Sequence, residues 1–560
     1  MSKFDLQKID EIILNPHIIL SLLTSLFLIW AITKWLYKPS QNKKLPPSPP
    51  KLPILGNIHQ LGSLPHQNLH SLARKHGPLM LIHLGHVPTL IVSSANAARE
   101  IMKTNDLIFS NRPQSSIARR LLYDFKDVSV APYGEYWRQL KSICVLQLLS
   151  NKRVQSFHSI REDETALMVE KIRGSRSVNL SEMFSGLTND VVCRSALGKK
   201  FSEDEIGKKF LMLLQEFVDL LGSISIGEYI PWLSWINRVN GFDARVDRVA
   251  KELDDFLEGV IKERMEINPS ERNGENFVDI LLDIYRNNTT GVSIDRDSIK
   301  AIILDVFSAG TDTSSTVLEW AMAELIRHPE VMRKLQLEVR GIVKDKHGIT
   351  NNHMEKMCYL KAVMKETLRY HTPIPLLVPR VSTKDVKING YDVSSGTMVM
   401  INAWAIGRDS DSWIEPEKFK PERFLNSSID FKGLDFELIP FGAGRRGCPG
   451  ITFAMATNEF VLANIVKDFD WELPGGAEGK YLDMTERPGL TIQRNAISNG
   501  DGRAGGGAGL RRRSRLQWGL GSGRGWDRAG TGWAQGSAEP CAQPRGRVGQ
   551  LEKKRTRAPL

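Results

Sequence analysis

One thiol lies in a run whose residue types suit metal binding: Pro440-Phe441-Gly442-Ala443-Gly444-Arg445-Arg446-Gly447-Cys448-Pro449-Gly450, followed by a helix-compatible apolar stretch from Ile451 to Val466. Cysteine binds metal as the thiolate. Backbone N–H groups, the positive end of a following helix and neighbouring guanidinium groups all favour charged sulfur, so this loop is expected to lower the Cys448 pKa. The glycines let main chain approach a large flat ligand that side chains would hold off. The plainer alternative is a buried cysteine in a tight turn. Against it stands a complete F-x-x-G-x-R-x-C-x-G spacing through Phe441, Gly444, Arg446, Cys448 and Gly450.

Three further clusters bear chemistry only if the fold brings them to that thiol. A helical pattern runs from about Ser298 to His328 and contains Ala309-Gly310-Thr311-Asp312-Thr313-Ser314. Glycine and short polar or β-branched residues in mid-helix run against local propensity, so a break with a functional or packing cause is expected there. Small residues would admit a flat ligand, and the hydroxyl and carboxyl groups could pass protons; a small-residue helix crossing is the alternative. Glu366-Thr367-Leu368-Arg369 sets a carboxylate and a guanidinium on one helix face, and Pro421-Glu422-Arg423-Phe424 offers a second guanidinium. Within Tyr133 to Lys141, Trp137 and Lys141 stand one helical turn apart.

Together these motifs, in this order, resemble those of the cytochromes P450, in particular the plant microsomal (A-type, family 71-like) enzymes, over roughly Leu45 to Arg494. The resemblance makes Cys448 the axial ligand of haem b iron. It assigns Thr313 to a hydrogen bond at the iron-bound oxygen and Asp312 to proton delivery, with Ala309 and Gly310 giving the ring and oxygen room. Phe441, Gly442, Gly450 and Arg446 belong to the haem loop. Trp137, Lys141, Arg380 and Arg446 become partners of the haem carboxylates, although the family usually has arginine where Lys141 stands, so bidentate geometry is lost. Glu366, Arg369 and Arg423 become a structural ion network holding the cysteine loop. Ile117, Leu121, Leu122, Leu304, Phe307, Ser308, Thr372, Ile374, Leu376, Leu377, Leu490 and Ile492 fall in regions that line the substrate pocket. His371-Thr372-Pro373 departs from the common H-P-P.

Behind these residues, 560 residues that are 41% hydrophobic and 25% charged can bury a large core. Short strand-like runs at Leu79–Leu84, Thr89–Val92 and between Pro379 and Asn402 accompany many helical segments. The expected fold is mainly α with a smaller β-rich part, the P450 prism enclosing haem, preceded by an N-terminal transmembrane helix. Hydrophilic stretches near Ile267–Asn276 and Lys344–Asn352 read as surface loops. Five scattered cysteines (Cys144, Cys193, Cys358, Cys448, Cys541) form no disulfide framework or zinc pattern and suit a reducing compartment.

The chain divides into a short lumenal N-terminus (1–11), an apolar anchor (12–33), a basic, proline-rich hinge (34–57), the catalytic body (58–495) and a tail (496–560). About 21 apolar residues span roughly 31 Å, enough for a bilayer core. Lys34, Lys38, Lys43 and Lys44 follow the anchor, which places the body in the cytosol; the resemblance to microsomal P450s implies that the membrane is that of the endoplasmic reticulum. An amino-terminal flank that is not basic, the length of the run and the lack of an A-x-A-like site at its end argue against a cleaved signal peptide. The tail from 501 onward holds 14 glycines and 13 Lys/Arg against 4 Asp/Glu, so most of the formal +11 charge is its own and the body shows no nucleic-acid footprint. Without strand or helix periodicity, it reads as disordered.

The implied reaction is monooxygenation of a small to mid-sized hydrophobic plant metabolite (terpenoid, phenylpropanoid, coumarin or alkaloid). NADPH-cytochrome P450 reductase, with cytochrome b5 as an optional partner, would supply electrons from NADPH, and O2 would supply the oxygen. A P450-fold isomerase, dehydratase or synthase, and a non-catalytic haem protein with an RNA-binding tail, remain the alternatives. The topology is testable: Asn179, Asn288 and Asn426 lie in N-x-S/T sequons. With the body in the cytosol, glycosidase treatment of the membrane-expressed protein leaves its gel mobility unchanged; a shift reverses the orientation.

Overall fold

A computed structural model of the chain describes residues 16–36, 43–201, 205–267, 276–287, 294–344, 348–473, 476–495 and 510–513. The expected lumenal end, the stretch 37–42, the loops 268–275 and 345–347, Asn288 and most of the tail lie outside the described residues.

Helix α1 (Pro16–Leu36) is a 21-residue apolar helix whose residues through Ile32 lie almost wholly exposed. The proline-rich segment that follows is pinned to the body rather than standing free. Leu81 N–H donates to the Pro47 carbonyl at 2.8 Å, and Asn57 Nδ2 and Gln60 Nε2 donate to that of Pro50 at 3.1 and 2.9 Å. Prolines cannot donate main-chain hydrogen bonds, but their carbonyls serve as acceptors along an extended strut.

Helices dominate the body. The elements that matter for the site are α2 (Glu135–Ile143), α3 (Leu180–Leu197), α4 (Glu205–Leu221), α5 (Phe242–Glu266), α6 (Arg296–Arg327), α7 (Cys358–Tyr370) and α8 (Ile451–Asp468). Four small sheets accompany them. In the largest, strands run in the order β1 (Leu79–Leu84), β2 (Val87–Val92), β7 (Met398–Ile401), β4 (Arg380–Val381). Only β2 and β7 are parallel. A hairpin pairs β5 (Val386–Ile388) with β6 (Tyr391–Val393). A short ladder joins β9 (Glu486–Arg487) to β10 (Gln493–Arg494).

The last sheet includes a short strand from the tail. Leu510–Arg513 forms β11 between β3 (Ser177–Val178) and β8 (Asp470–Glu472). Its register sets Arg511 opposite Glu472 and Arg513 opposite Asp470.

Helix α6 starts because Asp295 caps it, accepting from Ser298 N–H at 2.8 Å. It ends at His328, the residue before Pro329, where the helical conformation is disfavoured. Between those points it is uninterrupted for 32 residues, so the expected break at Ala309–Ser314 does not occur. Packing explains the glycine: a Cβ on Gly310 would stand 3.0 Å from Val192 of α3. Thr188 of α3 donates its hydroxyl to the Thr311 carbonyl at 3.1 Å. The small-residue crossing is therefore real, and it draws two core helices together.

Two buried polar networks fix the framework. In the first, Glu366 and Arg369 of α7 are wholly buried and paired bidentately at 2.7 and 2.8 Å. Arg423 Nε reaches the same carboxylate at 3.1 Å. The guanidinium groups bond carbonyls of Gly407, Ile414, Glu415, Pro416 and Lys418. The network thus clamps the 407–420 segment, not the cysteine loop itself. In the second, Glu324 near the end of α6 contacts His371 Nε2 at 2.6 Å and His328 Nδ1 at 3.2 Å. Burial works against ionising Glu324, but hydrogen bonds from His328 and His371 overcome it and hold the carboxyl at about 2. Complete burial lowers the pKa of His371, which therefore serves as a neutral donor.

Two outcomes follow. Arg369→Ala leaves Glu366 buried without its partner and is expected to cost about 3–5 kcal/mol in denaturant unfolding, with Arg369→Lys only partly restoring it because the fork is lost. For Glu324, the folded pKa lies below the ordinary 4.5. Its stabilising contribution is complete above that ordinary value and is lost as pH falls towards about 2. Glu324→Gln should therefore lower the melting temperature at neutral pH, and the difference from wild type should shrink as acid is added.

Candidate active site

Between α6 and the loop before α8 lies a chamber of about 280 Å³. Its wall is mostly apolar, including Ile302, Val306, Val317, Ile374, Leu377 and Phe453. Cys448 opens onto it. The accessible surface of Cys448 is therefore chamber wall, not bulk solvent. Cys448 N–H donates to the Phe441 carbonyl at 2.9 Å, and Gly450 N–H donates to Sγ at 3.3 Å. Gly442 and Gly444 both take positive φ (69° and 67°). A Cβ on Gly444 would fall 2.3 Å from the Met102 carbonyl oxygen, so glycine is obligatory there.

The electrostatics differ from expectation. Burial pushes the Cys448 thiol up, and only the Gly450 N–H and the Lys141 ammonium pull it back. The arginines are engaged elsewhere. Arg446 gives Nε to the Ser110 carbonyl at 2.7 Å, bonds the Val128 and Ala131 carbonyls, and lies 4.1 Å over the Trp137 ring. Arg445 turns to Asp106. Lys141 bonds the Gly447 carbonyl beside the thiol, so the lysine at the unusual position is the cation nearest the sulfur's charge balance.

One edge of the chamber is cationic. Arg112, Lys141, Arg380 and Arg446 all line it. Burial pushes Arg380 and Arg446 down to about 10, the latter aided by Arg380. Arg112 is lowered by burial and by both other arginines. Their hydrogen bonds go largely to neutral carbonyls, as with Arg380 to Ala443 at 2.9 Å and Arg112 to Ser129 at 3.0 Å. Carbonyls satisfy donors without cancelling charge. This edge therefore suits a ligand bearing carboxylates, while the single thiol suits a metal whose other ligands come from that ligand. Among the described residues no cluster of three His, Cys, Asp or Glu could hold a metal alone. The residues present fit haem b.

Arg112 was not singled out from the sequence. Its signal was a charged residue directly before Pro113, three residues after the apolar run Leu107-Ile108-Phe109. Trp137 lines the chamber, but its indole N–H is committed to the Val128 carbonyl at 2.9 Å and is not free for a haem carboxylate.

On the opposite wall, Ile302, Asp305, Val306, Ala309, Gly310 and Thr313 recur at helical spacing along α6. Thr313 bonds the Ala309 carbonyl. Asp312 does not reach the chamber. Its carboxyl, raised by burial, accepts from Gln493 Nε2 at 2.5 Å on the side facing β10.

Most expected pocket residues lie elsewhere. Only Ile374 and Leu377 line the chamber. Leu304, Phe307 and Ser308 project from other faces of α6, with Phe307 packed edge-on against Phe210 at 5.2 Å. Ile117, Leu121 and Leu122 are buried in the main core. Thr372 bonds the Leu368 carbonyl at 3.0 Å. Leu376 packs against the β1 cluster, Leu490 against the core beside Gly222, and Ile492 gives its carbonyl to Trp320.

Comparison with known proteins agrees with this geometry. The family model for "Cytochrome P450" matches residues 46–497. Cytochrome P450 71A8 of Mentha piperita is 65% identical over 492 residues, covering 87% of this chain and 96% of the relative. The norfluorocurarine oxidase of a Strychnos species is 49% identical (86% and 97% covered), and a 3-beta-hydroxylase of Tanacetum parthenium is 50% identical (85% and 96%). The fold of a zebra fish cytochrome P450 solved with progesterone superimposes with a TM-score of 0.68 at 23% identity, covering 80% of this chain and 99% of that one. The chain belongs to the cytochrome P450 family and is a P450 monooxygenase related to the plant 71A enzymes.

Proposed function

We propose that this enzyme holds haem b with Cys448 as its thiolate ligand and oxidises a small, largely apolar plant metabolite, using electrons from NADPH through a P450 reductase. The observation that carries this reading is the meeting, in one apolar chamber, of a lone thiol, a cationic edge and the small-residue face of α6. When bound, haem supplies the activation of dioxygen, and the thiolate's electron donation favours O–O cleavage.

The chain's own residues bind, orient and manage charge. Arg112, Arg380 and Arg446 offer the haem carboxylates a site already stripped of water, with Lys141 balancing the thiolate. Thr313 offers a hydroxyl one helical turn beyond Ala309, where a proton must be held near the oxygen. Asp312 supplies protons from the outer face of α6 and must release Gln493 to do so. The apolar wall excludes water and favours hydrophobic ligands. An oxidase and a hydroxylase among the relatives fit oxidation of such a metabolite. Helix α1 would anchor the body to the endoplasmic reticulum membrane.

The test is reconstitution of the haem-loaded enzyme with a plant P450 reductase and a panel of terpenoid, phenylpropanoid and alkaloid compounds. Product should form only when NADPH, reductase and dioxygen are all present, and should carry one atom from isotopically labelled dioxygen. Product formation without NADPH or dioxygen would instead favour an isomerase or dehydratase.

A further inference from the structure

The chamber wall carries one acid that none of the foregoing uses. Asp305 sits on the chamber face of α6, four residues before Ala309 and eight before Thr313. That spacing puts it roughly 6 Å and 12 Å along the helix axis from those two residues. Its Oδ2 accepts from Val128 N–H at 2.6 Å and Ser129 N–H at 3.2 Å. No hydrogen bond to Oδ1 is found among the described residues. The nearby Ser129 hydroxyl donates to Asp127 Oδ2 at 2.6 Å instead.

We propose that Asp305 is the polar anchor of the substrate chamber. As a neutral acid it donates from Oδ1 to a carbonyl or hydroxyl oxygen on an uncharged, otherwise apolar ligand, and so sets which end of that ligand lies against Thr313. This rests on the haem-thiolate reading of the chamber.

Three observations support a neutral acid. Asp305 is cut off from bulk water, and burial first, then the neighbouring Asp127 carboxylate, push it up to about 8 despite the two amide donors and the nearby Ser129 hydroxyl. Asp127 is itself buried and raised, its Oδ1 has no hydrogen-bond partner, and Arg112 and Arg446 act on it only as nearby charges, with no direct ion pair among the described residues. The other titratable group facing Asp305 is the Cys144 thiol, which burial and Asp305 together push up to about 12 and keep neutral. Two ionised carboxylates against an apolar wall are costly, whereas one proton on Asp305 relieves the repulsion and leaves a donor facing the chamber. A ligand oxygen held there leaves about one fused-ring length of skeleton to reach Ala309 and Thr313, so the carbon presented for oxidation lies at the end remote from that oxygen.

The test compares decalin, its ketone decalone and its amine by spin-state absorbance titration of the haem-loaded enzyme. Comparing ketone with hydrocarbon removes any effect of the 127–131 loop that both ligands feel. Decalone should bind about fivefold to tenfold tighter than decalin, with the advantage fading above about pH 8. Asp305→Asn keeps an acceptor for the loop amides and an N–H facing the chamber, so it should retain the ketone advantage and lose its pH dependence. Asp305→Leu should abolish the advantage. Equal binding of ketone and hydrocarbon, or no binding of decalone, overturns the proposal. So does an amine preference that Asp305→Asn destroys, because it would make Asp305 an ionised partner. A carbon monoxide spectrum on each variant separates these outcomes from failure of the haem-thiolate reading itself.

Discussion

Charge on sulfur in an apolar chamber is the constraint around which this protein is built. Cys448 faces a space from which water is largely excluded, and burial alone pushes its thiol upward. One backbone N–H at 3.3 Å and the Lys141 ammonium are the favourable influences the chain provides. Neither matches a metal cation. A thiolate in this position is therefore stable chiefly as a ligand, and the loop is built to present sulfur without a competing protein partner.

The same logic governs the opposite charge. Arg112, Arg380 and Arg446 crowd one edge, where Arg380 lowers the pKa of the other two, and they bond mostly neutral carbonyls. Such a cluster raises the energy of the protein alone and lowers that of a complex with a carboxylate-bearing ligand. Four of the carbonyls it grips, those of Ser110, Val128, Ser129 and Ala131, belong to the 110–131 segment, whose Val128 and Ser129 amides are held by Asp305 of α6. One short loop thus joins the cationic edge to the long helix, and a disturbance on either side is felt on the other.

What could be read in the sequence divides by range. The cysteine loop was legible because its spacing is local and its glycines answer to backbone geometry at Gly442 and Gly444. Helix α6 and the Leu79–Leu84 strand were legible from their apolar patterns. Orientation was not. Leu304, Phe307 and Ser308 share a segment with the chamber face but not the face itself, which only packing against α3 and α4 decides. Trp137 is in place but spends its N–H on Val128. Arg112 and Asp305 escaped notice because their meaning comes from partners far along the chain. The tail strand escaped because two short strands supply the pattern that it lacks.

The central claim is that Cys448 sulfur, as thiolate, is the protein ligand of haem iron. The most direct measurement is the carbon monoxide difference spectrum of the reduced protein, taken alongside Cys448→Ser. A strongly red-shifted thiolate band in the parent, absent from a variant that still folds and melts cooperatively, is the predicted result. A folded, haem-containing parent without that band, or a serine variant that keeps it, would contradict the account.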